Sequence, residues 1–276
     1  MNTYYELLNA ARKIFREHEI ADADVDAWYL LSHVFQINRT EYILQQSDYV
    51  DEVRESHFNQ LVELRAKHIP LQHIVGTQEF MGFEFDVSPD VLIPRQDTEL
   101  LVEEVLKHCK GKTVLDLCTG SGCIIISLYK LGEPLKAVGV DVSQRALEVA
   151  AKNAAKLKAE IEFIVSNLFE QVTEDYDIIV SNPPYIPTRI IEDLMPEVRD
   201  HEPFIALDGS EDGLYFYRNI VAGLNRYLRK GGSVYFEIGY DQGEAVKQIL
   251  RQEGFVEINI KKDLSGLDRV VSARRP

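Results

Sequence analysis

The sequence predicts an α/β protein in which a mostly parallel sheet, covered by helices on both faces, follows an N-terminal α-helical bundle. Three observations indicate this fold class. From residue 112 onwards, short apolar strands alternate with amphipathic helices, which is the pattern of βαβ units. Residues 1 to about 70 carry apolar positions at helical spacing only. A chain of 276 residues is long enough for one small and one medium domain.

Composition and charge narrow the classes of function. The net charge of −15 argues against broad, sequence-independent binding to a phosphate backbone. No apolar run approaches the roughly 20 residues of a membrane helix, and no basic segment followed by an apolar one begins the chain. The three cysteines lack disulfide or zinc-ligand spacing, and the seven histidines are scattered. We therefore expect a cytoplasmic protein with no membrane association, no metal and no stable nucleic-acid binding.

Three apolar stripes, separated by polar turns near residues 21–24 and 45–48, predict the helical bundle of residues 1–70. We expect Trp28 and Tyr29 to belong to its core rather than to a ligand site. The stripes are Leu7, Leu8, Ala11, Ile14 and Phe15; residues 25–35; and Val53, Phe58, Leu61, Leu64 and Arg65.

A β-hairpin linker is predicted at residues 71–90, before a domain at 91–276. Gln72–Gly76 and Phe80–Val87 alternate in the manner of short strands around Gly82. Asp97 is expected to cap the next helix, which continues to about residue 107. Arg95 precedes this helix, and the sequence leaves open whether it faces solvent or reaches a pocket.

The second domain is predicted as a strand–helix alternation. Ligands bind at the carboxyl ends of the strands in open sheets of this kind. The strands are expected at residues 112–117, 136–140, 162–165, 177–180, 233–238, 255–260 and 269–272, and the helices at 123–129, 143–158, 214–228 and 243–253.

A glycine-containing loop, residues 116–122, joins the first of these strands to a helix. Its glycines let the backbone approach a ligand closely and leave helix N–H groups free. The loop does not read as the G-x-G-x-x-G dinucleotide fingerprint. Asp141, at the end of the next strand, suits a ribose diol because each carboxylate oxygen accepts a hydroxyl proton. Asp116 is expected to hold the loop or to meet a cationic amino acid tail.

The reactive segment is predicted at Ser181-Asn182-Pro183-Pro184-Tyr185. Two consecutive prolines cannot continue a central strand, so a stiff loop begins there. Asn182 Oδ1 and the Pro183 carbonyl could accept the two N–H groups of a substrate amide, and Tyr185 could stack on its plane. Orientation can contribute roughly 7–11 kcal/mol, more than two neutral hydrogen bonds at about 1 kcal/mol each. Positioning should therefore dominate, and no general base is required.

These motifs, in this order, resemble class I S-adenosylmethionine-dependent methyltransferases that act on nitrogen. Five further segments resemble the PrmC/HemK glutamine methyltransferases, and with the helical region they cover nearly the whole chain. Each motif is moderately specific; their ordered combination carries the resemblance. The five segments are Pro70–Gly76, Leu92–Glu99, Glu202–Leu207, Asp212–Leu214 and Glu237–Gly239.

The resemblance implies a Rossmann-like class I fold with a seven-stranded sheet, behind an N-terminal substrate-recognition domain. It also implies S-adenosylmethionine as cofactor, with S-adenosylhomocysteine as product. Residues 119–122 would line the methionine part, Asp141 the ribose and Leu168 the adenine region. The implied cofactor-binding residues are Asp116, Cys118, Thr119, Gly120, Ser121, Gly122, Asp141, Leu168 and Asn182. The implied substrate-binding residues are Arg95, Asn182, Pro183, Pro184 and Tyr185, of which Asn182, Pro183 and Tyr185 would be catalytic.

The implied substrate is the glutamine of the Gly-Gly-Gln loop in class-1 peptide-chain release factors, methylated on its side-chain amide nitrogen. The alternative is an amino-methyltransferase acting on adenine or guanine in DNA or RNA, because those enzymes share the Asn/Asp-Pro-Pro-Tyr loop. They usually carry a basic recognition surface, which the acidic balance of this chain does not favour. A non-catalytic binding protein would predict a damaged loop, and this loop is intact.

Two positions depart from the family pattern. Cys118 stands where the family usually has glycine, and a side chain is tolerated there only if the backbone does not need a positive φ. Leu168 stands where many relatives carry an aromatic residue, so the adenine would be packed by aliphatic contact.

Overall fold

The computed structural model describes residues 2–276, which form two compact units. The helical unit contains the chain up to residue 76 together with residues 195–201. The α/β unit contains residues 77–194 and 202–276. The domain limits at residues 70 and 90 stay a prediction.

Apart from residues 72–76, the predicted helices and strands occur in the predicted order, and a single 3₁₀ turn at Thr188–Asp193 is described between them. The helices are α1 (Tyr4–Glu17), α2 (Ala23–Phe35), α3 (Arg39–Gln45), α4 (Glu52–Ala66), α5 (Leu71–Val75), α6 (Gln96–Leu106), α7 (Cys123–Gly132), α8 (Gln144–Leu157), α9 (Pro196–His201), α10 (Phe204–Leu207), α11 (Tyr215–Tyr227) and α12 (Gly243–Gln252). The strands are β1 (Thr77–Phe80), β2 (Phe83–Asp86), β3 (Thr113–Leu117), β4 (Lys136–Asp141), β5 (Glu162–Val165), β6 (Tyr176–Ser181), β7 (Leu228–Glu237), β8 (Val256–Lys262) and β9 (Asp268–Arg274).

The core of the helical unit includes most of the predicted apolar stripes, but not Tyr29. Trp28 is buried beneath the Arg39 guanidinium, which lies 3.9 Å from its ring centroid. Tyr29 is 57% exposed, so its assignment to the core is wrong. It shares the outward face of α2 with Val25 and His33, because residues four apart lie one above the other on a helix.

The third predicted stripe, on α4, is only partly apolar and only partly buried. Val53 is 80% exposed and Leu64 37% exposed, so their predicted burial is wrong. Arg65 is 3% exposed and donates to Asp26 through Nε at 2.6 Å. Its Nη2 donates to Glu197 of α9, which ties residues 195–201 to the helical unit.

Residues 72–76 were predicted as a strand, but residues 72–75 belong to helix α5 instead. Leu71, Ile74 and Val75 fall on one helical face and pack against the core of the helical unit. Gly76 ends the helix with a φ of +80°. The predicted hairpin is the antiparallel pair β1–β2, whose two-residue turn has positive φ at both positions, as a type I′ turn requires.

The α/β unit contains a mixed sheet of seven strands in the order β5-β4-β3-β6-β7-β9-β8. The first five strands of that order are parallel, and β9 runs antiparallel to both β7 and β8. One face packs against α11 and α12, and the other against α6 and α7. The predicted mostly parallel sheet with helices on both faces is therefore confirmed.

Four loops meet at the carboxyl edge of this sheet because of the strand register. Leu117 pairs with Val140 on β4 and with Ser181 on β6, and Ser181 pairs with Phe236 on β7. The residues that follow these strands therefore leave the sheet at the same level. Among residues 2–276, no helix is both long and apolar enough to cross a membrane.

Helix α6 begins two residues earlier than predicted. Arg95 is its N-cap and makes no side-chain capping bond, so the predicted cap at Asp97 is wrong. Asp97 lies in the first turn, where its carboxylate pairs with Arg269 Nη2 of β9 at 3.1 Å. This ion pair links the start of α6 to the sheet beside the carboxyl ends of β6 and β7.

Candidate active site

A cavity opens at the carboxyl edge of the sheet, within the α/β unit. Nine of the predicted site residues line it, whereas Asp116, Gly122, Pro183 and Tyr185 are not among its lining residues. The nine are Arg95, Cys118, Thr119, Gly120, Ser121, Asp141, Leu168, Asn182 and Pro184. Other lining residues are Asp90, Val91, Leu92, Pro94, Thr98, Cys123, Ile124, Val140, Val142, Ser143, Ala146, Ser166, Asn167, Pro203, Ile205, Ala206, Tyr215 and Phe216.

The loop after β3 forms the floor of the cavity through a left-handed backbone. Cys118, Gly120 and Gly122 have φ values of +62°, +54° and +80°. From the sequence, a side chain at residue 118 was expected to be tolerated only without a positive φ. The φ is positive, so Cys118 adopts a conformation that favours glycine. Backbone bonds from Thr119 N–H to Val140 O (3.0 Å) and from Gly122 N–H to Thr119 O (2.8 Å) hold the turn.

The two glycines of the loop serve different purposes. A Cβ on Gly122 would lie 2.9 Å from Ile126 Cδ1 and 3.1 Å from Ala150 Cβ, so its absence permits close packing of α7 and α8. A Cβ on Gly120 would meet no atom within 4 Å, because that side of the residue is open. Gly120 thus leaves the backbone accessible to a ligand, while Gly122 begins helix α7 as its N-cap.

Asp116 holds the loop from below. It is completely buried, and its Oδ2 accepts a hydrogen bond from Thr119 Oγ1 at 2.5 Å. Its Oδ1 has no hydrogen-bond partner within residues 2–276. Burial raises the pKa of Asp116 to about 8, with a further contribution from the nearby Asp141 charge, while the Thr119 bond opposes the rise. Of the two roles expected for Asp116, the contact with Thr119 corresponds to the first, which is to hold the loop.

Asp141 connects β4 to the same loop. Its Oδ2 accepts from the Gly120 N–H and its Oδ1 from the Ser143 N–H, both at 2.9 Å. Burial raises the pKa of Asp141, and those backbone N–H groups oppose the rise. Each carboxylate oxygen has more than one acceptor site. The carboxylate that orders the loop can therefore also accept hydroxyl protons from a ligand in the cavity.

Leu168 lies on the cavity wall in a left-handed conformation, with a φ of +49°. Ser166 fixes this turn, because its hydroxyl donates to the Leu168 carbonyl and accepts from the Gln171 N–H, both at 2.9 Å. Two aromatic residues of α11, Tyr215 and Phe216, line the same cavity. The sequence analysis missed them, although adjacent aromatic residues at the start of a predicted helix were a visible signal.

Asn182 is positioned by a residue that the sequence analysis also missed. Its Nδ2 donates to Thr98 Oγ1 of α6 at 3.3 Å. Thr98 is 2% exposed and lines the cavity. The amide nitrogen of Asn182 is thereby directed toward the protein, which leaves Oδ1 as the atom able to accept a hydrogen bond from a ligand.

Tyr185 packs against the hydrophobic core instead of the cavity. Its hydroxyl donates to Glu237 Oε1 at 3.5 Å, and its carbonyl accepts from Gln242 Nε2 at 2.9 Å. Burial, together with the Glu237 charge, raises the pKa of Tyr185 and keeps the phenol neutral. Its role as a stacking platform stays a prediction.

The chain after the proline pair is held by a neighbouring segment. Ile186 N–H donates to Leu207 O at 3.1 Å, and Gly209 N–H donates to Ile186 O at 2.8 Å. A Cβ on Gly209 would lie 2.7 Å from the Tyr185 backbone, so only glycine permits this close approach. The loop is thus stiffened by its prolines and by backbone pairing.

Arg95 lines the cavity. The sequence left open whether it faces solvent or reaches a pocket, and the structure shows the second. Arg95 Nη2 donates to Glu202, whose carboxylate is almost fully buried and also accepts from the Ile93 N–H at 3.4 Å. The Arg95 side chain keeps 39% exposure. In the described part of the chain, no group of three His, Cys, Asp or Glu residues could hold a metal ion.

The parallel sheet, the glycine loop after β3, the acid that ends β4 and the Asn-Pro-Pro-Tyr loop after β6 define a class I methyltransferase. A family model for the PrmC N-terminal domain matches residues 6–76, and one for the methyltransferase small domain matches residues 95–195.

Comparison with known proteins gives the family. The chain is 40% identical to the release factor glutamine methyltransferase of Geobacter sulfurreducens, over 99% of this chain and 96% of that protein. It is 41% identical to the release factor glutamine methyltransferase of Agrobacterium fabrum, over 97% and 96%. This protein therefore belongs to the release factor glutamine methyltransferase family. A methyltransferase from Pyrococcus furiosus shares the fold, with a TM-score of 0.54 and 14% identity over 70% of this chain and 88% of that one.

Proposed function

We propose that this enzyme transfers a methyl group from S-adenosylmethionine to the side-chain amide nitrogen (N5) of the glutamine in the Gly-Gly-Gln loop of class-1 peptide-chain release factors. The observation that carries the proposal is the orientation of Asn182. Its Nδ2 is engaged by Thr98, and its Oδ1 remains for the substrate amide, in the cavity that also contains the glycine loop and Asp141. Relatives that bear this activity in their names match nearly the whole chain.

The cavity fits S-adenosylmethionine by the chemistry of its walls. The open side of Gly120 admits a ligand close to the backbone, and Asp141 offers acceptors for a ribose diol. The Asp141 carboxylate, which lines the cavity, places an acidic group beside a ligand that carries positive charge. Leu168 and Phe216 supply apolar surface for a purine ring. The bound cofactor would supply an electrophilic methyl group on a sulfonium.

The substrate amide needs orientation more than activation. Its nitrogen lone pair is delocalised into the carbonyl, as in a peptide bond. Asn182 Oδ1 and the Pro183 carbonyl would accept its two N–H groups and aim the nitrogen at the methyl carbon. In a complex held in this way, a nitrogen–carbon bond would form as the sulfur–carbon bond of the cofactor breaks, and the methylated amide would lose one N–H proton to water. This proton is acidic in the alkylated cation, so no general base is needed.

The loop geometry supports catalysis by positioning. The prolines fix φ at two consecutive residues, and the segment 207–209 pairs with the loop behind them. Tyr185 is neutral and hydrogen-bonded to a carboxylate, so it is unsuited to act as the base. Holding two reacting groups in line contributes roughly 7–11 kcal/mol, which is the effect that a stiff loop of this kind can supply.

Methyl transfer from labelled S-adenosylmethionine to a purified class-1 release factor tests the proposal. A copy of the release factor with the loop glutamine changed to alanine is the matched control. Label on the first protein and not on the second is the expected result. No label on either, with cofactor binding shown by calorimetry, would overturn the proposed substrate and direct the search to nucleic-acid amino groups.

A further inference from the structure

Glu237 ends strand β7 as a buried carboxylate beside the reactive loop. It is 2% exposed. Because Phe236 pairs with Ser181, the residues that follow them, Glu237 and Asn182, lie side by side at the carboxyl edge of the sheet. Glu237 does not line the cavity, so it does not contact a ligand there directly. Any effect on the reaction must pass through its neighbours.

Two hydroxyl groups connect Glu237 to the reactive loop. Thr98 lies beside the Glu237 carboxylate and, as a side-chain hydrogen-bond donor, lowers its pKa. The Thr98 Oγ1 accepts from Asn182 Nδ2 at 3.3 Å. On the other side, Tyr185 donates its hydroxyl to Glu237 Oε1 at 3.5 Å. The first residue of the Asn-Pro-Pro-Tyr loop, Asn182, is therefore connected to the Glu237 carboxylate through Thr98. The last residue, Tyr185, bonds the same carboxylate directly.

The polarity of this chain of hydrogen bonds is fixed at one end. An ionised carboxylate only accepts hydrogen bonds, so the single Thr98 hydroxyl proton must point to Glu237. The Thr98 oxygen then offers a lone pair to Asn182, and only the NH₂ end of that amide can donate to it. A flipped amide would place two acceptors face to face. The ionised Glu237 thus selects the rotamer of Asn182 that directs Oδ1 toward the cavity.

We propose that Glu237, acting through Thr98, is a positioning residue that sets the amide orientation of Asn182; this inference rests on the proposed function. Thr98 transmits the orientation, because it contacts both side chains. The proposal assigns a role to two residues outside the Asn-Pro-Pro-Tyr loop, one from α6 and one from β7.

The surroundings of Glu237 favour a functional reason for its presence. Arg269 lies nearby, but its Nη2 pairs with Asp97 and Asp263, both at 3.1 Å. Glu237 Oε2 has no hydrogen-bond partner anywhere in the described chain. A buried carboxylate held mainly by hydroxyl groups destabilises a fold, and an uncharged residue of similar size would be tolerated better. Residues that break a stability rule in this way are concentrated at functional sites.

Substitutions at Thr98 separate positioning from packing. Thr98→Val keeps the shape and removes both hydrogen bonds, while Thr98→Ser keeps the hydroxyl. The turnover number with a release factor should fall about 100-fold in Thr98→Val and remain within about threefold of the wild-type value in Thr98→Ser, with cofactor affinity unchanged in both. Thr113→Val is the matched control, since Thr113 is a buried threonine that bonds Asp177 at the opposite end of the sheet. It should lower the melting temperature without lowering turnover.

Glu237→Gln supplies a test that a merely structural role would fail. Its turnover should fall about tenfold or more while its melting temperature stays equal to or above the wild-type value. The side-chain amide signals of Asn182 in ¹⁵N spectra, assigned by their loss in Asn182→Ala, should shift in Glu237→Gln and in Thr98→Val. This readout does not depend on activity.

The possible failures are distinguishable. If the wild-type enzyme methylates the release factor and Thr98→Val turns over equally fast, or if the Asn182 amide signals stay unchanged in both variants, the positioning role is overturned and the proposed function stands. If the wild-type enzyme does not methylate the release factor although Thr98→Val alters the Asn182 signals, the proposed function is overturned and the orienting contact stands.

Discussion

The carboxylate of Asp141 accepts a hydrogen bond from the backbone N–H of Gly120 at 2.9 Å, so the end of strand β4 holds the loop that leaves strand β3. The two strands pair in register up to Leu117 and Val140. One acid thereby determines both the shape of the glycine loop and the position of an acceptor for a ligand. Cofactor binding should depend on Asp141 for both reasons.

Asp141→Ala is expected to weaken S-adenosylmethionine binding by about 10- to 100-fold. The change removes the contact with Gly120 and the proposed contacts with the ribose, and hydrogen bonds to a charged group contribute about 1.5–3 kcal/mol each. Isothermal titration calorimetry measures the effect. Asp175→Ala is the control, because Asp175 is an exposed residue before β6, away from the cavity. A dissociation constant that does not change in Asp141→Ala would show that the ribose is misplaced.

Asn182→Ala should reduce turnover by about 100-fold or more, because the loss of an aligned acceptor misplaces the substrate amide. Cofactor affinity should change far less. Steady-state kinetics with a release factor, together with calorimetric titration of the cofactor, measures both quantities. Asn59→Ala, at an exposed position on α4, is the control. Equal losses in turnover and cofactor affinity would contradict a role for Asn182 in orienting the substrate.

Cys118 carries backbone strain that glycine would remove. With a φ of +62°, any Cβ at residue 118 lies in the left-handed region, which costs roughly 1–2 kcal/mol. Cys118→Gly should therefore be more stable than Cys118→Ala by about 1 kcal/mol, after the greater chain entropy of glycine is taken into account. Urea unfolding of the two variants gives the difference.

The control for this comparison is Ser127 in the interior of helix α7. There, alanine should be more stable than glycine by about 1 kcal/mol. If alanine is the more stable variant at residue 127 and glycine is the more stable variant at residue 118, the preference for glycine at residue 118 comes from its φ. An alanine variant at residue 118 that equals or exceeds the glycine variant in stability would show that the left-handed backbone relaxes.

The sequence predicted the parts of the fold that depend on local patterns. Strands such as β3 and β6 are predominantly apolar and almost entirely buried, so their type and the approximate position of their ends follow from composition. The loops after them carry glycine or proline, whose backbone requirements are local. Residues 72–75 were mispredicted because a short apolar segment suits a strand or a helix, and packing of Leu71 and Ile74 in the helical unit decides between them.

The missing site residues depend on contacts between distant segments. Thr98 and Asn182 are 84 residues apart in sequence, and Glu237 is 55 residues beyond Asn182. Nothing in the local sequence of α6 indicates that its first turn faces the end of β6. That proximity is set by the strand order and by the ion pair between Asp97 and Arg269.

The pH dependence of turnover should report the ionisation of Glu237. Burial raises the pKa of Glu237 to about 7, against a hydrogen bond from Thr98 and the positive charge of Arg269. The other titratable or charged groups that act on it or that it acts on are Asp97, Cys123, Tyr185 and Tyr217. If the ionised form orients Asn182, turnover should rise as the pH increases through about 7, and this rise should be absent in Glu237→Gln.

The same group should give an opposite dependence in stability. The folded-state pKa of Glu237 lies above the unfolded value of 4.5, so the folded state binds the proton more tightly. Its contribution to stability is present below pH 4.5 and is lost as the pH rises through about 7. Asp116 behaves in the same way up to about pH 8 and remains in the variant. Urea unfolding at pH 5 and pH 8 should therefore show a smaller decrease in Glu237→Gln than in the wild type, whereas equal decreases in the two proteins would contradict the raised pKa of Glu237.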